Sequence, residues 1–298
     1  MKDRMRVLIA SDLSEASDEA VRQGLQIAGD GAVALCHVMP DLGMHALLPQ
    51  EYENDLRWQV SQQPRVAEAL RGQLERVVPG REPAPELFVE LGADYDQILR
   101  RAEQWQADLI ALGTHGRRGI SRLLLGSTAD QVVRAATCPV LVARPARSTQ
   151  PGAVLAAVDF SDPSLPVVTA AAAEAKRRGR KLVVMHAMDR PRDGDAAMGL
   201  LGALPALETQ AVHGQKRALA AEILNGALAR LQAQGEIVVT DDDPGPETLR
   251  LAESLPAELI VVGTHPRGRL SRVVLGSMAA SIVESAPCSV LVARERVT

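Results

Sequence analysis

Short apolar runs alternate with longer segments of helical periodicity along the chain. Apolar Val7–Ala10, Val33–Val38, Leu87–Leu91, Leu109–Leu112 and Val140–Ala143 predict five strands. Between them, Ser14–Ala28, Arg65–Val77, Tyr95–Trp105 and Ser127–Ala136 space their apolar residues as helices do. The order repeats in the second half, with strands expected near 154–158, 182–186, 236–240, 259–262 and 290–293. Strand–helix alternation of this kind predicts an α/β fold with right-handed βαβ units and a mostly parallel, doubly wound five-stranded sheet in each half. Segments 40–63 and 189–212 differ most between the halves. They read either as surface excursions over a sheet edge or as packing helices with ragged ends.

The two halves are copies. Shifting the chain by 150 residues aligns Ala111–Arg144 with Val261–Arg294 without a gap, and 18 of the 34 positions are identical. "VLIASDLSEAS" (7–17) parallels "VLAAVDFSDPS" (154–164), and "VALCHVM" (33–39) parallels "LVVMHAM" (182–188). A repeat this long is a duplicated domain, because solenoid repeats are shorter. "RPARSTQPG" (144–152) reads as the linker, which sets expected domains at 1–146 and 152–298.

Composition narrows the class. Among 298 residues, hydrophobic types make up 46% and aromatics only 2%, so the core must be built from Ala, Val, Leu and Ile. The net charge of −4 argues against bulk attraction to nucleic acid or an anionic membrane. Cys36, Cys138 and Cys288 lie in apolar runs and predict buried thiols in a reducing compartment. The N-terminal apolar run is too short for a signal peptide, and no segment reaches the length of a membrane span. A cytoplasmic location is expected.

Candidate chemistry concentrates after the fourth strand, in "GTHGRRGISRLLLGST" (113–128). Gly113 and Gly116 allow a turn and a close backbone approach. Gly126 and Ser127 stand where a helix begins, and the unpaired amides there favour an anion such as phosphate. Arg117, Arg118 and Arg122 add positive charge nearby. A tight turn followed by a serine cap accounts for the same residues equally well. The spacing is neither the Walker pattern nor the dinucleotide fingerprint, and neither loop contains lysine.

Other groups suggest less. His37 and His186 end apolar strands and suit a hydrogen-bonded structural role; His115 and His265 lie inside the loops. No spacing points to zinc, and no Gly-x-Ser-x-Gly elbow occurs, so neither catalytic residues nor a resident metal is expected. Cys138 and Cys288 have apolar neighbours that raise a thiol's pKa. The acidic run Asp241–Asp243 reads as a solvated turn.

Taken together, the loop and strand order resemble the universal stress protein family, in its tandem two-domain form. The specific element is Gly, two residues, Gly, nine residues, then Gly with Ser or Thr, here Gly113, Gly116, Gly126 and Ser127. Asp12 and Ser14, His37 and Val38, and "CPVLVAR" (138–144) support it. The resemblance implies binding of ATP or a related adenine nucleotide, with magnesium the one metal that would accompany it. It implies Asp12 and the Val38 backbone near the adenine, Gly113 near the ribose, and Gly116, Gly126, Ser127 and Thr128 at the phosphates. On the residues alone, the alternative for Asp12 is capping of the first helix, and Ser14 reads as the N-cap itself and not as a ligand contact.

In the second half Pro266 stands where the first has Gly116, which removes an N–H donor and fixes φ. Asp159, Ser161, Gly263, Gly276 and Ser277 remain, and Gly268 offers the loop another turn. The expected outcome is asymmetry, with a weaker second site. The identical "VLVAR" strands are sticky edges unless paired. The resembled family associates through this strand, which implies pairing of the halves as an intrachain pseudo-dimer. Homodimerisation and an unidentified protein partner stay open. The leading expectation is a regulatory, ATP-binding stress-response protein. A slow ATP hydrolase and a scaffold without nucleotide are the alternatives.

Overall fold

The computed structural model describes residues 4–42, 49–114, 125–146, 151–160, 164–188, 205–264 and 275–294. The first repeat runs β1 (Arg6–Ala10), α1 (Glu15–Ala28), β2 (Ala32–Met39), α2 (Pro49–Val77), β3 (Glu86–Leu91), α3 (Asp94–Gln104), β4 (Leu109–Gly113), α4 (Ser127–Ala135) and β5 (Val140–Ala143). The second runs β6 (Ala153–Val158), α5 (Ser164–Arg178), β7 (Lys181–Ala187), α6 (Pro205–Arg230), β8 (Glu236–Thr240), α7 (Pro244–Ser254), β9 (Leu259–Gly263), α8 (Ser277–Ser285) and β10 (Ser289–Ala293). The α/β fold and mostly parallel sheet expected from the sequence are present, and every predicted strand has its counterpart.

The chain divides into two compact units. The first comprises Met1–Pro145, Pro266–Leu275 and Ser289–Thr298; the second comprises Ala146–His265 and Gly276–Cys288. In the first unit the strand order is β3-β2-β1-β4-β5-β10. All neighbours are parallel except β10, which runs antiparallel to β5 with Val290 opposite Val142 and Val292 opposite Val140. The two final strands thus pair as their matched edges predict. In the second unit the order is β9-β6-β7-β8, parallel throughout.

Val7, Leu8, Ile9, Ala34, Leu35 and Val140–Val142 are fully buried, as strands covered on both faces must be. In the first unit α1 packs on β1 and β4, and α3 lies beside α4. Close approach of α1 depends on Gly24. A Cβ there would meet Ile9 Cδ1 at 2.8 Å and the Ala111 methyl at 3.3 Å.

Within 40–63 and 189–212, residues 49–63 and 205–212 are helical, and along 50–63 most described side chains are exposed, so the first segment is a helix lying largely on the surface. Helix α2 begins at Pro49 and runs through Pro64, and α6 begins at Pro205. Residues 43–48 and 189–204 lie outside the described residues. The early turns of α2 are anchored by amides more than by apolar residues. Fully buried Gln59 donates to the Pro40 carbonyl, and Gln63 donates to the Val89 carbonyl at 3.2 Å. That anchoring leaves no apolar periodicity for the sequence to display.

Candidate functional site around the strand ends

In the first unit the order reverses between β1 and β4, so the chain leaves those neighbouring strands toward opposite sides. Crevices beyond strand carboxyl ends at such a switch point are where open α/β sheets place ligands. Ile9 is level with Ala111, so Asp12 and Gly113 leave the sheet side by side. In the second unit the switch lies between β6 and β9, where Asp159 and Gly263 emerge.

The segment after β1 is a bent turn. Asp12 Oδ1 accepts from the Ser14 amide at 3.1 Å and from the Ser14 hydroxyl at 2.5 Å. Ser14 therefore occupies the N-cap position of α1 with extended backbone but turns its hydroxyl back to Asp12 and does not cap with it. Leu13 between them has φ 66°, and its N–H donates to Ser11 Oγ at 3.0 Å. Phe160, which follows Asp159, has φ 56°. A left-handed backbone costs a side-chain-bearing residue about 1–2 kcal/mol, so both repeats hold the same strained bend next to the same carboxylate.

A polar network under this turn escaped the sequence analysis. Gln73 of α2 is 1% exposed. Its Oε1 accepts from Ser11 Oγ at 2.6 Å, and its Nε2 donates to Ser17 Oγ at 2.9 Å and Asp18 Oδ1 at 2.7 Å. Arg76 Nη2 adds a bond to Asp18 Oδ1 at 2.8 Å. The sequence signal was the serines of "SDLSEAS", of which Ser11 and Ser17 bond a partner 62 residues beyond Ser11.

The end of β2 is laced to the same turn. The Ser11 amide donates to the Cys36 carbonyl at 2.9 Å, and His37 Nδ1 lies 2.7 Å from the Ser11 carbonyl oxygen. A carbonyl only accepts, so Nδ1 carries the proton. His186 repeats the bond to the Val158 carbonyl at 2.9 Å, which assigns both strand-end histidines the structural role expected of them. Val38 follows His37 in β2, level with Glu90 of β3. In the second unit the Phe160 ring lies 4.1 Å from the His186 ring and packs against Met188, Ala220 and Val239. Burial, followed by the nearby Glu90 charge, pushes the Cys36 thiol up to about 12. All three cysteines are buried, as their apolar settings predicted.

Across the switch, Thr114 is buried, and its carbonyl accepts from the Gly126 amide at 2.7 Å. That bond brings the start of α4 to the exit of β4. Gly126 is the N-cap, with φ −66° and ψ 149°, and its carbonyl accepts from the Asp130 amide at 3.0 Å. The amides of Ser127, Thr128 and Ala129 consequently have no acceptor within the helix, and they form its positive end. Ser127 is exposed, while Thr128 Oγ1 stands 3.4 Å from Asp94 Oδ2 at the start of α3. Gly276 and Ser277 open α8 in the same way, with Ala280 donating to the Gly276 carbonyl at 2.9 Å.

Gly113 has a packing reason of its own. A Cβ there would lie 3.1 Å from the Ala16 carbonyl oxygen of α1. At Gly263 the obstacle is Val167 Cγ2 at 3.0 Å. The structure therefore brings Asp12, Gly113, Gly126, Ser127 and Thr128 to the carboxyl ends of the central strands, and Val38 to the next strand end. Asp159, Gly263, Gly276 and Ser277 take the matching places in the second repeat. Gly116, His115, Arg117, Arg118, Arg122, Ser161, His265, Pro266 and Gly268 lie outside the described residues. The donor set at α4 suits an oxyanion. Among the described residues there is no cluster of three or more His, Cys, Asp or Glu able to hold a metal, and no helix is long and apolar enough to cross a membrane.

Comparisons with known proteins agree with this architecture. The chain is 28% identical over 306 residues to a universal stress protein of Mycolicibacterium smegmatis, covering 97% of each. It is 33% identical over 195 residues to one of Mycobacterium tuberculosis, a match covering 64% of this chain and 63% of that protein's length. The crystal structure of a universal stress protein from Archaeoglobus fulgidus superposes with a TM-score of 0.65 at 18% identity over 99% of both chains, a likeness of fold. The family model described as the universal stress protein family matches residues 4–144 and again 152–294. With two copies of that fold and paired final strands, the chain belongs to the universal stress protein family as a tandem member.

Proposed function

We propose that the protein is an adenine-nucleotide-binding regulatory protein of the stress response, with its main ATP site in the first repeat. In this reading Asp12 and the Val38 backbone hold the adenine, and Gly113 lies at the ribose. Gly116, Gly126, Ser127 and the Thr128 backbone hold the phosphates. The second repeat offers a weaker site at Asp159, Gly263, Gly276 and Ser277, because Pro266 withdraws one amide from its loop. Its working compartment is the cytoplasm.

One observation carries the reading. The Gly126–Thr114 hydrogen bond sets the open amides of α4 at the switch point, beside the strand end that delivers Asp12. Oxyanion donors and an amine-accepting carboxylate then share one crevice, which matches the two polar ends of an adenine nucleotide. Magnesium is not assigned a protein site; any such ion would be held largely by the phosphates.

Calorimetric titration of the full chain with ATP tests this, with Gly126→Val as the paired variant. Binding by the parent and its loss in the variant are expected. Absence of binding by the parent, under conditions where the protein is folded, would overturn the proposal.

A further inference from the structure

The helix that presents the phosphate donors is gripped at its other end by the last strand of the second repeat. Strand β10 belongs to the first unit and lies antiparallel to β5. Its first residue, Ser289, accepts from the Arg144 amide at 2.9 Å and from Gln23 Nε2 at 2.8 Å, which ties β10 to α1 and β5. Just beyond its last residue stands Arg294, 6% exposed. Its Nη1 donates to the Ala136 carbonyl and its Nη2 to the Val133 carbonyl.

Those carbonyls belong to the C-terminal end of α4, where helix oxygens lack intrahelical donors and negative charge accumulates. A planar guanidinium meets two of them at once from one rigid fork, a geometry that a lysine's point-like ammonium does not fix. Burial pushes the Arg294 guanidinium down to about 10, which leaves it cationic at neutral pH. Helix α4 has nine residues, too few to persist on its own propensity. Its own last-turn cation, Arg134, is engaged elsewhere, with Nε 2.9 Å from each oxygen of Asp130. External anchors therefore fix both ends: Thr114 at the first turn and Arg294 at the last.

We propose that Arg294 is a positioning residue for the nucleotide site of the first repeat. It holds α4 so that the amides of Ser127 and Thr128 face the crevice. The inference rests on the proposed nucleotide reading and deepens it. The second repeat contributes structurally to the first repeat's site, whether or not its own loop takes a ligand.

The test uses the full chain with Arg294→Ala and Arg294→Lys. Backbone amide exchange is followed in α4 and, as internal reference, in β1, without nucleotide; ATP affinity is then titrated. The expected result is at least tenfold faster exchange across α4, unchanged exchange in β1, and about tenfold weaker ATP binding for Arg294→Ala. Arg294→Lys should fall between this variant and the parent, and it decides the matter if Arg294→Ala loses protection in β1 as well. Unchanged α4 protection overturns the proposal, as does lost protection with ATP affinity intact. If the parent takes no ATP, the nucleotide reading fails, and exchange alone decides whether Arg294 fixes the helix.

Discussion

Gln73 joins Ser11 and Ser17: its amide oxygen accepts from one serine at 2.6 Å, and its amide nitrogen donates to the other at 2.9 Å. The bend that carries Asp12 is thereby fastened to α2 as well as to its own helix. Gln73→Leu keeps the volume but leaves Ser11 and Ser17 without this partner in a buried place. The two hydroxyls still meet each other at 3.0 Å, and Ser17 Oγ still donates to the Ser14 carbonyl at 2.8 Å. The loss is therefore that of net hydrogen bonds, about 1–3 kcal/mol in urea unfolding. A loss under about 0.5 kcal/mol, typical of surface substitutions, would show that the network is not structural.

The open end of α4 sets the second prediction. Ser127→Glu places a negative charge among the amides that would meet phosphate, where helix-end charges act directly. ATP affinity should fall at least tenfold, while the stability of the free protein changes by less than about 1 kcal/mol. Titration and thermal melts separate the two effects. Equal affinities in parent and variant would place the phosphates away from this helix.

Gly113 and Gly263 are matched in the repeat but not in what a methyl would strike. At Gly113 the obstacle is backbone, the Ala16 carbonyl at 3.1 Å; at Gly263 it is the Val167 side chain at 3.0 Å. Side chains yield more easily than helix backbone. Gly113→Ala should therefore destabilise by about 1–3 kcal/mol without any nucleotide present, and Gly263→Ala by less. The reverse ranking in denaturant unfolding would contradict the packing account.

The Cys36 thiol supplies a pH signature. Its folded value is raised to about 12, well above the ~8.5 of an unfolded thiol. The buried neutral thiol contributes its full stability below the unfolded value. That stability is lost as pH rises through 9 toward 12, because the unfolded chain ionises first. Between pH 8.5 and 10.5 the parent should lose stability more steeply than Cys36→Ala. Parallel slopes would show that Cys36 ionises freely in the fold.

Much of the architecture was legible because the strands are short apolar runs buried on both faces. Val7–Ala10 and Val140–Ala143 stand out against their polar flanks for that reason. The first turns of α2 were not legible, because buried Gln59 and half-buried Gln63 do the anchoring that a hydrophobic stripe does elsewhere. The candidate site is legible only at its punctuation: Asp12, Gly113, Gly126 and Ser127 fall at the strand ends and helix start that their spacing implied. Gln73 was invisible, since a polar residue on a polar helix reveals a distant partner only in three dimensions. Gly113 carries a second meaning that spacing alone could not convey, the approach of α1. Arg294 ends the repeated "VLVAR" run, and only the fold brings it to Val133 and Ala136.

The central claim is a nucleotide site in the first repeat and a weaker one in the second. Mass spectrometry of the small molecules released on denaturing the purified chain, with stoichiometry completed by ATP titration, tests it most directly. One adenine nucleotide per chain, abolished by Gly126→Val and retained in Gly276→Val, is the predicted result. No adenine nucleotide released and none bound on titration would contradict the site itself. Two of equal affinity per chain would contradict the asymmetry.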